Sequence, residues 1–128
     1  MVKASAPISE PTYFILAALL DGPLHGHGII KHVLGLSDGR VKLPVGTLYG
    51  GLDRLAARGL VAVEREEIVD GRPRRYFRLT DDGRTLVEEE ARRMQQAAAV
   101  VTGRIAPGSA FTGRSAVRAA LRTAAAFA

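Results

Sequence analysis

Residues 44–80 have the sequence PVGTLYGGLDRLAARGLVAVEREEIVDGRPRRYFRLT, which contains the strongest structural signals of the chain. Apolar residues at helical spacing predict a helix from Pro44, and its inward face carries Leu48, Leu52 and Leu55. Residues 60–68 and 74–79 have strand character, and they flank Asp70-Gly71, a strong hairpin signal. The stretch therefore predicts one helix followed by a two-stranded hairpin.

Helices are predicted on both sides of this stretch. Ser9 is a suitable N-cap for a first helix that stops at Asp21-Gly22-Pro23. Apolar residues at helical spacing predict a second helix from Gly26 to about Ser37. After the hairpin, Thr80 is a suitable cap for a long helix of about 25 residues that ends near residue 104.

This order of elements predicts a mainly α fold with a small β-hairpin wing, namely a winged helix-turn-helix with a long C-terminal dimerisation helix. We expect residues 1–8 to form a flexible arm and residues 9–80 the winged domain. The dimerisation helix then spans residues 81–105, and residues 106–128 form an Ala- and Arg-rich, partly helical tail.

The apolar residues of the last helix are spaced 4, 3, 4, 3 and 4 residues apart. This spacing is typical of a two-stranded coiled coil or an antiparallel helix pair. It predicts a dimer interface at Val87, Ala91, Met94, Ala98, Val101 and Ile105.

The composition is that of a globular protein in a reducing compartment. The chain has 128 residues with 18 Lys and Arg, 13 Asp and Glu, and no Cys. Residues 1–82 hold 11 basic and 10 acidic side chains, so most of the net charge of +5 comes from residues 83–128, with seven Arg and three Glu. The longest apolar run, residues 13–20, is too short to span a membrane. We therefore expect a cytoplasmic protein without membrane contact.

The outward face of the third helix carries the candidate residues for reading DNA. In a helix-turn-helix, only that face reaches base edges in the major groove. The candidates are Thr47, Tyr49, Gly50, Asp53 and Arg54. The alternative is a solvated surface. Gly50 and Gly51 each cost about 1 kcal/mol inside a helix. This cost favours a close backbone approach to DNA, a local kink, or tight packing against the second helix.

The hairpin tip is basic. Arg72, Arg74, Arg75 and Arg78 occur with no acid among them, and a projecting basic loop can contact phosphates or enter a minor groove. The alternative is cross-strand ion pairing with Glu64, Glu66 or Glu67. We expect both, with Arg72 and Arg74 the more available to DNA.

Other chemistry has little support in the sequence. His25 and His27 form an H-x-H without an evident third ligand, and residues two apart on a helix point in different directions. No Ser or Thr has an evident base and orienting acid. We therefore predict no metal site, no cofactor and no enzymatic activity.

Several motifs occur together in a fixed order over residues 10–90. They are Gly22-Pro23-Leu24-His25-Gly26, Gly46-Thr47-Leu48-Tyr49, Leu52-Asp53-Arg54-Leu55, Gly59-Leu60-Val61, Gly71-Arg72-Pro73-Arg74-Arg75-Tyr76-Phe77-Arg78-Leu79-Thr80 and Gly83. In these motifs the chain resembles PadR-type transcriptional regulators. It departs from them at Gly50, where relatives often have Pro, and at Phe77, where they often have Tyr. Residues 106–128 match no pattern.

The resemblance implies a homodimer that binds a pseudo-palindromic operator in double-stranded DNA, usually to repress. It also implies that the helix after the wing forms the dimer. Some relatives bind planar aromatic effectors against a Trp; this chain has no Trp, so an effector stays unidentified. Two other classes remain open. A protein-interaction module would bind DNA weakly and without preference, and an enzyme would need a polar pocket.

Overall fold

A computed structural model describes residues 7–105. This part contains four helices and three strands: α1 (Glu10–Ala18), β1 (Leu24–His25), α2 (Gly26–Leu36), α3 (Val45–Ala57), β2 (Val61–Val69), β3 (Arg72–Leu79) and α4 (Asp81–Thr102). The winged helix-turn-helix prediction is confirmed. The predicted tail, and residues 1–6 of the predicted arm, lie outside the described residues. None of these four helices is long and apolar enough to cross a membrane.

The core lies where the first three helices meet the base of the sheet. Ser9 caps α1 by accepting a hydrogen bond from the Thr12 N–H at 3.2 Å. The middle of α1 is buried on every side, as its uninterrupted apolar sequence predicts. The largest fully buried side chains are Leu16, Leu19, Ile29, Val33, Leu48 and Leu52. Leu55 is also buried, so the predicted inward face of α3 is confirmed.

The hairpin has the predicted turn but belongs to a larger sheet. Asp70 and Gly71 have φ of 51° and 76°, the backbone that a two-residue type I′ turn requires. The short strand β1 pairs antiparallel with β3, placing Leu24 opposite Phe77 and His25 opposite Tyr76, in the order β1-β3-β2. The sheet therefore has three strands rather than the predicted two, and β1 fixes the start of α2 against the wing.

The start of α4 is fastened to the turn between α3 and β2. Thr80 accepts a hydrogen bond from the Gly83 N–H at 3.0 Å, and its hydroxyl donates to the Gly59 carbonyl at 2.6 Å. In this first part of α4, Gly83, Leu86 and Val87 are buried. Val87 is only 2% exposed and belongs to the core of its own chain. Its prediction as a dimer contact is therefore wrong, and the exposed part of the seam begins at Ala91.

Candidate nucleic-acid interface

The exposed face of α3 is open at its N-terminal end and bounded by two longer side chains. Because its leucines point inward, Gly46, Thr47 and Asp53 are exposed, and a Cβ at Gly46 would meet nothing within 4 Å. Tyr49 lies at the edge near the wing, and Arg54 lies at the edge near α1. Near Gly46, another molecule can therefore approach the backbone of α3 closely.

Tyr49 is held between the sheet and the first turn of α2. Its ring centroid is 6.5 Å from that of Phe77 in β3. A Cβ at Gly26 would overlap the Tyr49 hydroxyl and lie 2.8 Å from Tyr49 Cζ. The missing side chain at Gly26 is therefore what lets Tyr49 rest on the N-terminus of α2. Tyr49 as a whole is 40% exposed. The residue is therefore held in place by its neighbours and remains accessible to solvent.

Arg54 lies on the other edge, beside the first turn of α1. It lines a cavity of about 350 Å³ together with Ser9, Thr12 and Arg58. Among residues 7–105, apart from the adjacent residues and the backbone of α3, a Cβ at Gly50 would have only Arg54 within 4 Å, and the helix runs without interruption through this point. Tight packing against the second helix is therefore not the reason for this glycine.

The wing arginines divide into paired and unpaired groups. Across the strands, Arg78 lies 3.3 Å from Glu64 and Arg75 lies 4.0 Å from Glu66, as the sequence predicted. Among residues 7–105, Arg72 and Arg74 form no ion pair. The carboxylate opposite Arg74 belongs to Glu67, and it already accepts a 2.9 Å hydrogen bond from Arg65 Nε.

A cleft of about 490 Å³ brings the two unpaired arginines to the third helix. Arg72, Arg74, Tyr49, His25 and His27 are among the residues that line it. The N-terminus of α2 opens into the same cleft, and its N-cap residue His25 makes no side-chain capping hydrogen bond. The cleft thus combines two guanidinium groups, a phenol and backbone N–H groups at a positive helix end, which together suit a phosphate.

Two charge effects tune this cleft. Partial burial lowers the pKa of His25, and the nearby cations Arg74, His27 and Lys31 lower it further, against a smaller opposing effect of Glu67. These effects favour the neutral form of the imidazole. The hydrogen bond from Arg65 lowers the pKa of Glu67 and keeps its carboxylate ionised.

Sequence reasoning missed three residues of this region. From the sequence, His25 is assessed as a metal ligand and as part of a family motif, Tyr76 appears only within the wing motif, and Arg65 has no assigned role. The Arg65 guanidinium covers the Tyr76 ring at 3.9 Å, and His25 packs edge-on against the same ring at 5.5 Å. Alternation along β3 places Tyr76 on the same face as Arg74, but the pairing to His25 depends on the unpredicted β1. No three His, Asp or Glu residues within 7–105 are arranged to hold a metal ion.

Beyond the winged domain, α4 presents apolar side chains to solvent. Met94 and Val101 are 42% and 64% exposed, and Ile105, which follows the end of α4 at Thr102, is 44% exposed. Ala91 is half-buried and Ala98 is exposed, so these five predicted seam residues remain accessible. An apolar stripe of this length on a helix that leaves its own domain is typical of an interface.

The chain is similar to known regulators over most of the described part. The family model "Transcriptional regulator PadR-like family" matches residues 15–89. The chain is 37% identical to the transcriptional regulator Rv3488 of Mycobacterium tuberculosis, covering 70% of this chain and 79% of that protein. It is 44% identical to an uncharacterized 37.1 kDa protein in transposon TN4556 of Streptomyces fradiae, over 67% of this chain. It spans only 23% of that protein's length.

Two solved structures share its architecture. One is a structure of Bordetella bronchiseptica BpsR, described as showing the mechanism for regulation of its DNA binding by 6-hydroxynicotinic acid. Its sequence is 27% identical, the match covers 97% of this chain and 83% of the BpsR chain, and the TM-score is 0.62. The structure of Bacillus subtilis PadR in complex with operator DNA is 23% identical, covers 61% of this chain and 44% of that one, and has a TM-score of 0.54. The latter likeness is one of fold.

Proposed function

Because this chain belongs to the PadR-like family of transcriptional regulators, we propose that it binds a pseudo-palindromic operator in double-stranded DNA as a cytoplasmic homodimer and represses transcription. One observation carries the proposal. Arg72 and Arg74 meet Tyr49 at the uncapped N-terminus of α2, beside the exposed face of α3. The surface thus offers a phosphate site next to a helix face that can enter a groove.

The wing cleft holds a backbone phosphate in this proposal. Arg72 and Arg74 supply charge, Tyr49 supplies a hydroxyl donor, and the first turn of α2 supplies N–H groups. Arg75, which faces Glu66, contributes less, because a paired guanidinium must give up its partner first. Phosphate contacts fix the orientation of the protein but carry no sequence information.

The face of α3 reads bases in the major groove in this proposal. Thr47, Asp53 and Arg54 supply the side chains, and Gly50 lies beneath the guanidinium group of Arg54. Arg54 suits guanine, whose O6 and N7 accept two hydrogen bonds, and the Asp53 carboxylate suits the amino group of cytosine. Each such contact discriminates between bases by about 1–3 kcal/mol.

In this proposal the chain dimerises through the exposed seam of α4, and each protomer binds one half of the operator. A twofold dimer presents the same surface twice, which matches a palindromic operator. On the likeness to BpsR, a small-molecule effector is a further proposal, without a defined chemistry.

Selection of bound fragments from random duplex DNA tests the proposed function. We expect the recovered sequences to share one motif with twofold symmetry. A protein-interaction module would instead recover sequences without a common motif and bind them weakly, and that result would overturn the proposal.

Replacing both Arg72 and Arg74 by Ala is expected to weaken binding to operator and random duplex alike. Each lost phosphate contact lowers the slope of log affinity against log salt concentration by about one, so we expect a decrease of about two. Titrations at four or more salt concentrations measure it. The matched control replaces Arg75 and Arg78, which face Glu66 and Glu64, and it should change the slope less. If the wild type and the Arg72/Arg74 variant have equal slopes, these two arginines do not contact phosphates, and the proposed phosphate site is wrong.

Arg54→Ala and Tyr49→Phe are expected to have different effects on specificity. Arg54→Ala removes a base contact and should lower the ratio of operator to random-duplex affinity about 5- to 150-fold. Tyr49→Phe keeps the ring between Gly26 and Phe77 but loses the hydroxyl in the wing cleft, so both affinities should fall together. Competition titrations at one salt concentration, with thermal melts as the folding control, separate the two. The assignment fails if Tyr49→Phe lowers the ratio and Arg54→Ala does not.

A further inference from the structure

Two consecutive glycines of α3 share one neighbour, the side chain of Arg54. A Cβ at Gly50 would lie 3.6 Å from Arg54 Nη1, and a Cβ at Gly51 would lie 4.0 Å from Arg54 Nη2. Both terminal nitrogens of the guanidinium group therefore lie against surface that the glycines leave bare. Among residues 7–105, and apart from the adjacent residues and the backbone of α3, the other atom within 4 Å is Ile15 Cδ1, which lies 3.8 Å from the Cβ position of Gly51.

The direction of the Arg54 side chain matters for recognition. Side chains on a helix lean toward its N-terminus and cover the preceding turn. Arg54 belongs to the last turn of α3, yet its guanidinium group lies over Gly50 and Gly51 in the middle of the helix. Recognition helices contact base edges mainly with their N-terminal residues. The bare surface thus moves the charge of Arg54 toward the part of the helix that reads bases.

On the basis of the DNA binding proposed above, we propose that Gly50 and Gly51 are positioning residues that hold Arg54 along α3 and so set base specificity. A separation of 3.6 Å is ordinary van der Waals contact, so one methyl group at position 50 fits beneath the guanidinium group. The larger, branched side chain of a leucine at position 50 would instead occupy the surface on which the guanidinium group lies. The glycine pair therefore acts through Arg54 rather than by bringing bare backbone to the DNA.

The first test uses the free protein and needs no operator. Backbone and side-chain relaxation by NMR reports the order of the Arg54 Nε–H group. We expect this group to be ordered in the wild type and in Gly50→Ala, and mobile in Gly50→Leu. Gly46→Leu is the matched control, because a Cβ at Gly46 meets nothing within 4 Å, and it should leave Arg54 ordered. Equal order of Arg54 in the wild type and Gly50→Leu, with both folded by thermal melt, would overturn the proposal.

The second test is a double-mutant cycle on DNA. Gly50→Leu and Arg54→Ala should each lower the ratio of operator to random-duplex affinity about 5- to 150-fold. Combined, they should lower it no further than Arg54→Ala alone, whereas Gly46→Leu with Arg54→Ala should be additive. A full additional loss from Gly50→Leu in the Arg54→Ala background would mean that Gly50 itself faces the DNA, and the proposal would be wrong. A wild-type protein that prefers no sequence would instead overturn the proposed function, and the relaxation measurement would still decide the positioning role.

Discussion

Gly83→Ala is expected to lower the free energy of unfolding by about 3 kcal/mol, the upper part of the usual range for overpacking. The new Cβ would overlap the Leu60 carbonyl oxygen and lie 2.8 Å from Leu79 Cδ1. The Leu79 methyl group can turn aside, but the Leu60 carbonyl is part of the backbone and cannot retreat at low cost. It accepts a 3.1 Å hydrogen bond from the Thr80 N–H. The start of α4 must therefore lift away, which also exposes Leu86 and Val87.

Urea unfolding followed by circular dichroism measures this loss. Gly35→Ala is the matched control, because it is the same substitution in a helix at a position where a Cβ meets nothing within 4 Å. Its expected effect is a gain of up to about 1 kcal/mol from better helix propensity. If both variants unfold at the wild-type urea concentration, the start of α4 does not pack as tightly against Leu60 as these distances require.

Local patterns in the sequence predicted most of the fold. The spacing of Leu48, Leu52 and Leu55 identified the buried face of α3, because helical periodicity alone decides which side of a helix is apolar. Asp70-Gly71 identified the turn, because few other residue pairs adopt two consecutive positive φ angles. In each case the physical cause lies within a few residues of its effect.

The elements that sequence reasoning missed depend on distant partners. β1 has only two residues, and it is a strand only because Leu24 and His25 pair with Phe77 and Tyr76, more than 50 positions later. The seating of Tyr49 on Gly26 likewise joins two helices. The same limit explains Val87. The heptad spacing shows that Val87 lies on the apolar face of the helix. It does not show whether that face packs against the core of the same chain or against a second chain.

The exposed seam of α4 leads to the largest expected effect on assembly. Val101 is 64% exposed and follows Met94 by seven residues, which puts both on one face of α4, so in the proposed dimer the Val101 side chain is covered by the partner. In a twofold interface each substitution occurs twice, and near the axis the two new groups approach each other. Val101→Glu therefore buries two carboxylates of like charge without a cationic partner. An unpaired buried charge costs several kcal/mol, and a loss of about 4 kcal/mol weakens a dimer roughly a thousandfold.

Sedimentation velocity at micromolar concentration should accordingly find the wild type as a dimer and Val101→Glu as a monomer. Val100→Glu is the matched control, because Val100 is 56% exposed but lies outside the 4, 3, 4, 3 spacing, on a different side of the helix. It should remain dimeric. The winged domain should melt as a folded unit in both variants, since its core ends at Val87. A dimeric Val101→Glu together with a monomeric Val100→Glu would move the interface to another face of α4. If both remained dimeric, the two winged domains would have to be joined through a surface other than this helix.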